Sequence, residues 1–249
     1  MAETGVKICI WSFPRCGSTY LYNSLKQAYQ PDVELDEPLW YTKYESDQEV
    51  VERFNEVTNQ ITNATTVVCK HHHRHETRVQ KLKPNTYQWY DGLYNYNIFL
   101  YRKNLMYRSL SQCIMAGLGD WRNDRFIVDV EEFVAMYKTY LGDLLQSLVY
   151  RRKQFDEVVA YEDLPTDPVD MLHTLNIFNV HSPVTRNIKR LSPYRRTNYK
   201  QAITNWPELQ DAINEVTSLI PNLITSDYEI NTQMIKLAFT NENTFLGIS

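Results

Sequence analysis

Apolar side chains at Val6, Ile8, Ile10, Trp11 and Phe13 form a nearly continuous run, the pattern of a strand buried on both faces. Pro14 cannot donate to a ladder and ends it. Gly17 permits a tight turn, and Ser18 or Thr19 can cap a helix that carries Leu21, Tyr22, Leu25 and Ala28 on one side. The stretch from Gln30 to Tyr44, rich in Pro, Asp, Glu and aromatic residues, predicts a loop able to border a pocket or to pack Trp40 and Tyr41 on the core. Val50, Val51, Phe54, Val57 and Ile61 recur at helical spacing over 47–61. Further strands are predicted over 65–70, 97–101 and 157–164. Helices are predicted from the junction at 102–111, over 130–155 and from a cap at Asp167 with Pro168 in its first turn. Residues 77–95 and 117–124 read as connections, the latter either lining a site or running over the surface. Alternating strands and helices imply an α/β fold, a three-layer sandwich with a central parallel sheet whose ligand lies at the C-terminal strand ends.

The 249 residues suit one domain over 1–249. A net charge of −4 argues against a general nucleic-acid binder. Cys9, Cys16, Cys69 and Cys113 form no CxxC pair and read as reduced interior thiols. With the first strand beginning within a few residues of Met1 and no apolar run of about 20 residues, neither a signal peptide nor a membrane span is expected, which points to the cytoplasm.

Chemistry concentrates at three strand ends. The amides that open a helix have no partner within it and sit at the positive end of its dipole, so the loop Pro14-Arg15-Cys16-Gly17-Ser18-Thr19-Tyr20 is suited to an anion. It lacks the Gly-Lys-Ser/Thr of the nucleoside-triphosphate P-loop. After the second long strand comes Lys70-His71-His72-His73-Arg74-His75-Glu76. Alternation places Lys70 and His72 on one face and His71 on the other. This run can be a solvated basic turn, a zinc site using His71, His73, His75 and Glu76, or the seat of a histidine base; imidazole titrates near neutral pH and favours the last. After the third, Arg102 and Lys103 precede a helix bearing Ser111.

Pro14 to Tyr20 resembles the 5′-phosphosulfate loop, P-[KR]-x-G-[ST]-[ST], of sulfotransferases that use 3′-phosphoadenosine 5′-phosphosulfate (PAPS). Lys70-His71-His72 is similar to that family's Lys-Thr-His segment, with His71 in place of the threonine. The Arg102–Ser111 stretch resembles its 3′-phosphate segment, with Lys103 at the arginine position by strict spacing. Tyr161-Glu-Asp-Leu164 and Tyr199–Leu209 resemble later landmarks of the family. The resemblance implies a P-loop-like α/β fold and a sulfotransferase that moves the sulfuryl group of PAPS to a hydroxyl or amine of a small molecule or carbohydrate. It implies no metal; with the negative net charge and the lack of an apolar span, no nucleic-acid or membrane partner is expected. Position by position it implies Lys70 against the sulfuryl group, His72 as base, and Arg15 with Cys16, Gly17, Ser18, Thr19 and Tyr20 around the phosphosulfate. Arg102 or Lys103, Ser111 and, in a late basic loop, Arg195 and Arg196 are implied at the 3′-phosphate. A P-loop-type small-molecule kinase and an inactive nucleotide-binding protein are the other readings.

Overall fold

The computed structural model describes residues 5–39, 46–72, 82, 92–122, 125–150, 155–165, 167–175, 199–218, 224–225 and 229–233. In chain order the elements are β1 (Lys7–Ser12), α1 (Ser18–Tyr29), β2 (Val33–Asp36), α2 (Asp47–Asn63), β3 (Val67–His72), β4 (Tyr96–Tyr101), α3 (Leu105–Ala116), β5 (Gly119–Arg122) and β6 (Arg125–Val128). There follow α4 (Val130–Tyr150), β7 (Glu157–Ala160), a 3-10 turn (Tyr161–Asp163), α5 (Pro168–Thr174), α6 (Tyr199–Ala202) and α7 (Trp206–Thr217). They form two units, Met1–Tyr101 with Gln154–Pro193, and Arg102–Lys153 with Tyr194–Ser249.

The first unit is built on a five-stranded sheet in the order β2-β3-β1-β4-β7. Every pairing is parallel, as an α/β sheet covered by helices requires. Ile8 stands opposite Val68 and Tyr96, and Ile10 opposite Lys70 and Ile98, so the even-numbered residues of β1, β3 and β4 share one face. That face meets Leu21, Tyr22, Leu25 and Ala28 of α1 and Met171 and Leu172 of α5 in a buried cluster. The burial of β1 on both faces is what its unbroken apolar run predicts. Because all five strands run the same way, their C-terminal ends lie along one edge, and the chain crosses from one side of β1 to the other beside it.

The cap expected at Ser18 or Thr19 falls instead on Gly17, while two other helices carry side-chain caps, the second of them at the predicted Asp167. Ser46 Oγ accepts the Glu49 amide at 3.2 Å, and Asp167 Oδ1 accepts the Val169 amide at 2.9 Å. Four predicted boundaries differ. The expected loop after α1 contains β2, where Val33 and Leu35 alternate with exposed Glu34 and Asp36. The expected connection at 117–124 is the antiparallel hairpin β5–β6; its Gly119 has φ 145°, and a Cβ there would fall 2.1 Å from the Ile127 carbonyl oxygen. The expected strand 157–164 stops at Ala160 and tightens into the 3-10 turn. The long helix is described over Val130–Tyr150, and Phe155, expected within it, is not helical.

In the second unit α3 packs on α4, and α4 on α7. Arg108 of α3 is buried, with its guanidinium carbon 3.9 Å from the centroid of the Tyr140 ring of α4, close enough for a desolvated cation–π contact. The Ile203-Thr204-Asn205-Trp206 stretch holds the hairpin. Asn205 accepts the Val128 amide at 3.1 Å and donates to the Val128 carbonyl at 2.8 Å, as a neighbouring strand would, and the Thr204 amide donates to the Phe126 carbonyl at 3.0 Å. Among the described residues no helix is long and apolar enough to cross a membrane.

Candidate active site

The loop after β1 is tightly wound. Arg15 has φ 66° and Gly17 φ 77°; the Cys16 amide donates to the Phe13 carbonyl at 3.4 Å. Gly17 is the N-cap of α1 and supplies no side-chain oxygen to the first turn, which leaves amides there for an external acceptor. Its lack of a side chain is also spatial: a Cβ would lie 2.0 Å from the Tyr161 ring. Tyr161, the first residue of the Tyr-Glu-Asp-Leu segment, thus presses the turn from the 3-10 turn after β7, and the Tyr20 hydroxyl donates to the Pro165 carbonyl at 3.1 Å. Arg15 and Thr19 are exposed, and Cys16 and Ser18 are buried.

β3 places Lys70 and His72 on the α1 face, in register with Ile10 and Ser12. Lys70 is only 3% exposed. Its ammonium lies 2.8 Å from Asp36 Oδ1 and 2.9 Å from Glu37 Oε1, and it donates to Thr19 Oγ1 at 3.3 Å. These three partners use all three ammonium protons. The Tyr22 ring lies beneath, its centroid 5.8 Å from Lys70 Nζ. Burial and the charges of Asp36, Cys69 and Glu34 push the Tyr22 phenol well above its usual range. His72 Nε2 lies 3.4 Å from Ser18 Oγ and 3.4 Å from Glu37 Oε1. Between these strand ends Ser12 Oγ is buried with no hydrogen-bond partner among the described residues.

His71 faces away. It stacks on Trp11 with centroids 4.9 Å apart, and its Nε2 is 3.2 Å from the Tyr94 hydroxyl. Of the adjacent histidines, His72 therefore meets the loop and His71 lies across the sheet, while His73, His75 and Glu76 lie outside the described residues.

The structure brings together Cys16, Gly17, Ser18, Thr19, Tyr20, Lys70 and His72, with Arg15 on the same turn. Arg102, Lys103 and Ser111 belong to the second unit. There the Lys103 carbonyl accepts the Ile230 amide at 2.8 Å, Asn104 caps α3 through the Tyr107 amide at 2.8 Å, and Ser111 is buried on α3. Arg195 and Arg196 lie outside the described residues.

Sequence reasoning missed Asp36 and Glu37. The predicted loop spans them, yet β2 pairs with β3 so that Asp36 is in register with Lys70, and the Glu37 amide donates to the Lys70 carbonyl at 2.9 Å. The alternation Val33-Glu34-Leu35-Asp36 is the signal that marks the strand. Glu37 takes φ 50°, which turns the chain at the strand end.

No family model matches the chain, and no curated protein matches it. Among solved structures it is similar to a "Sulfotransferase Domain from the Curacin Biosynthetic Pathway", at 16% identity over 97% of this chain and 99% of that chain, with a TM-score of 0.39.

Proposed function

We propose that the protein is a sulfotransferase that moves a sulfuryl group from PAPS to a hydroxyl or amine acceptor, a carbohydrate or small alcohol or phenol. The observation that carries this reading is the convergence of Lys70 and His72 on the first turn of α1, at 3.3 Å from Thr19 Oγ1 and 3.4 Å from Ser18 Oγ.

The residues fit an anionic donor. The uncapped turn offers amides, Ser18 and Thr19 offer hydroxyls, Arg15 is an exposed cation, and Ser12 Oγ is a buried hydroxyl whose hydrogen-bonding capacity is unused among the described residues. PAPS supplies the sulfuryl group and a phosphate leaving group. Arg15 and the amides of Gly17, Ser18 and Thr19 hold the phosphosulfate, and the helix dipole favours charge growing on the departing phosphate. Lys70 faces the sulfonate oxygens. Its bond to Thr19 is the longest of the three and joins it to a neutral partner, so that contact is the one an incoming oxygen displaces.

His72 takes the acceptor proton. Glu37 Oε1 lies 3.4 Å from His72 Nε2, within ion-pair reach of the ring once it is protonated. Glu37 then stabilises the imidazolium as the proton arrives, the task of the carboxylate in a histidine–acid pair.

Calorimetric titration with 3′-phosphoadenosine 5′-phosphate (PAP), against ATP with magnesium, tests the reading on wild type and Arg15→Ala. Selective micromolar binding of PAP, roughly −8 kcal/mol, that weakens in Arg15→Ala supports it. Binding of ATP but not PAP replaces it with a kinase.

A further inference from the structure

The face of the sheet opposite Lys70 and His72 carries a second cluster. Cys9 of β1 and Cys69 of β3 are directly opposed in the parallel register, and His71 follows Cys69 on the same face. All three are buried, at 0%, 0% and 1% exposure. Their two sulfurs and one imidazole nitrogen lie within 4.8 Å of one another. The Tyr94 hydroxyl lies 3.2 Å from His71 Nε2, while the Trp11 ring stacks on the imidazole.

We propose that Cys9, Cys69 and His71 bind a zinc ion, with the Tyr94 hydroxyl, 3.2 Å from His71 Nε2, beside it. Thiolate and imidazole are the donors that zinc takes in tetrahedral sites, at about 2.3 Å to sulfur and 2.0–2.1 Å to nitrogen. Those lengths put donor atoms about 3.5–3.8 Å apart in a tetrahedron. The longest separation here, within 4.8 Å, closes by at most about 1.0–1.3 Å, within reach of side-chain rotation.

Charge selects the ion. Two thiolates and a neutral imidazole around a divalent cation are neutral, the state that an interior tolerates; a monovalent soft ion would leave a buried negative charge. Binding releases two protons, one from Cys9 and one from the Cys69–His71 pair, and forms two Zn–S bonds and one Zn–N bond.

The ion would tie β1 to β3 directly behind the residues that face α1. Cys69 and His71 flank Lys70, and His71 precedes His72. The zinc centre therefore fixes the backbone that aims both side chains, and it does so independently of what reaction they serve.

The test uses the full chain, reduced and stripped with a chelator, then titrated with zinc chloride. Metal content per chain is measured, calorimetry in two buffers of different ionisation enthalpy counts protons, and cobalt(II) reports thiolate ligation by its charge-transfer absorption. The expected result is one zinc per chain, two protons released and a thiolate–cobalt band, all lost in Cys9→Ala and Cys69→Ala and kept in Cys113→Ala. If the buried alanine variants do not fold, the wild-type cobalt spectrum and proton count decide. Absence of stoichiometric zinc, or zinc and cobalt binding without a thiolate band, as the neighbouring histidine run would give, overturns the proposal. So does zinc retained in the Cys9→Ala/Cys69→Ala double variant. A Cys9–Cys69 disulfide with no zinc uptake after its reduction assigns the pair to redox chemistry instead.

Discussion

Glu37 Oε1 lies 2.9 Å from the ammonium of Lys70, a side chain almost wholly withdrawn from water. An anionic donor must share that cation with a carboxylate already in place. Glu37→Gln keeps the shape and removes the charge, so PAP should bind more tightly, on the order of tenfold or about 1.4 kcal/mol. Transfer should fall, because the imidazolium of His72 loses its counter-charge. Calorimetry and a single-turnover assay read the two effects separately, and equal losses in both would place Glu37 in a structural role only.

His72→Ala removes the proposed base and leaves the anion-binding turn intact. PAP affinity should stay within about twofold of wild type, and transfer should drop roughly 10²- to 10⁴-fold, the usual worth of a positioned base. Loss of PAP binding would instead make His72 part of the nucleotide cradle.

Gly17→Ala meets two obstacles at once. The backbone at φ 77° costs a Cβ-bearing residue about 1–2 kcal/mol, and the new methyl overlaps the Tyr161 ring. Thermal denaturation should show a loss of about 2–4 kcal/mol, with weakened PAP binding. Adding Tyr161→Ala relieves the overlap but not the dihedral, so a double variant with full stability and affinity would contradict this account of the turn.

Asn205 substitutes for a strand against β6 through both hydrogen bonds to Val128. Asn205→Ala leaves those backbone groups without their partner and should cost about 1–3 kcal/mol in urea denaturation. PAP affinity should not change, since this residue serves the second unit's own packing. A fall in affinity without a fall in stability would give it a role in binding.

Stability should decline in alkali. Burial raises the Tyr29 phenol to about 12, and burial with neighbouring carboxylates raises Tyr22 and Tyr96 as well. A phenol whose folded pKa exceeds its unfolded value contributes full stability below about pH 10 and loses it as pH rises toward the folded value. Denaturant midpoints measured from pH 9 to 12 should therefore fall above pH 10. Tyr29→Phe should flatten that decline, and an unchanged slope would show that the phenol titrates as in the unfolded chain.

The strand–turn–helix at 7–29 could be read from sequence because its determinants are local: an unbroken apolar run, a proline stop, a glycine and a helical stripe. Alternation likewise assigned Lys70 and His72 to one face, since it needs no knowledge of neighbouring strands. Strand order and register are non-local, and they brought Asp36 and Glu37 to Lys70 and set Cys9 against Cys69. No spacing along the chain encodes those pairs, because each depends on parallel strands separated by intervening helices. Tyr161 closing on Gly17 is of the same kind: the glycine is visible in the sequence, but the ring that demands it arrives from the turn after β7 only once the sheet has formed.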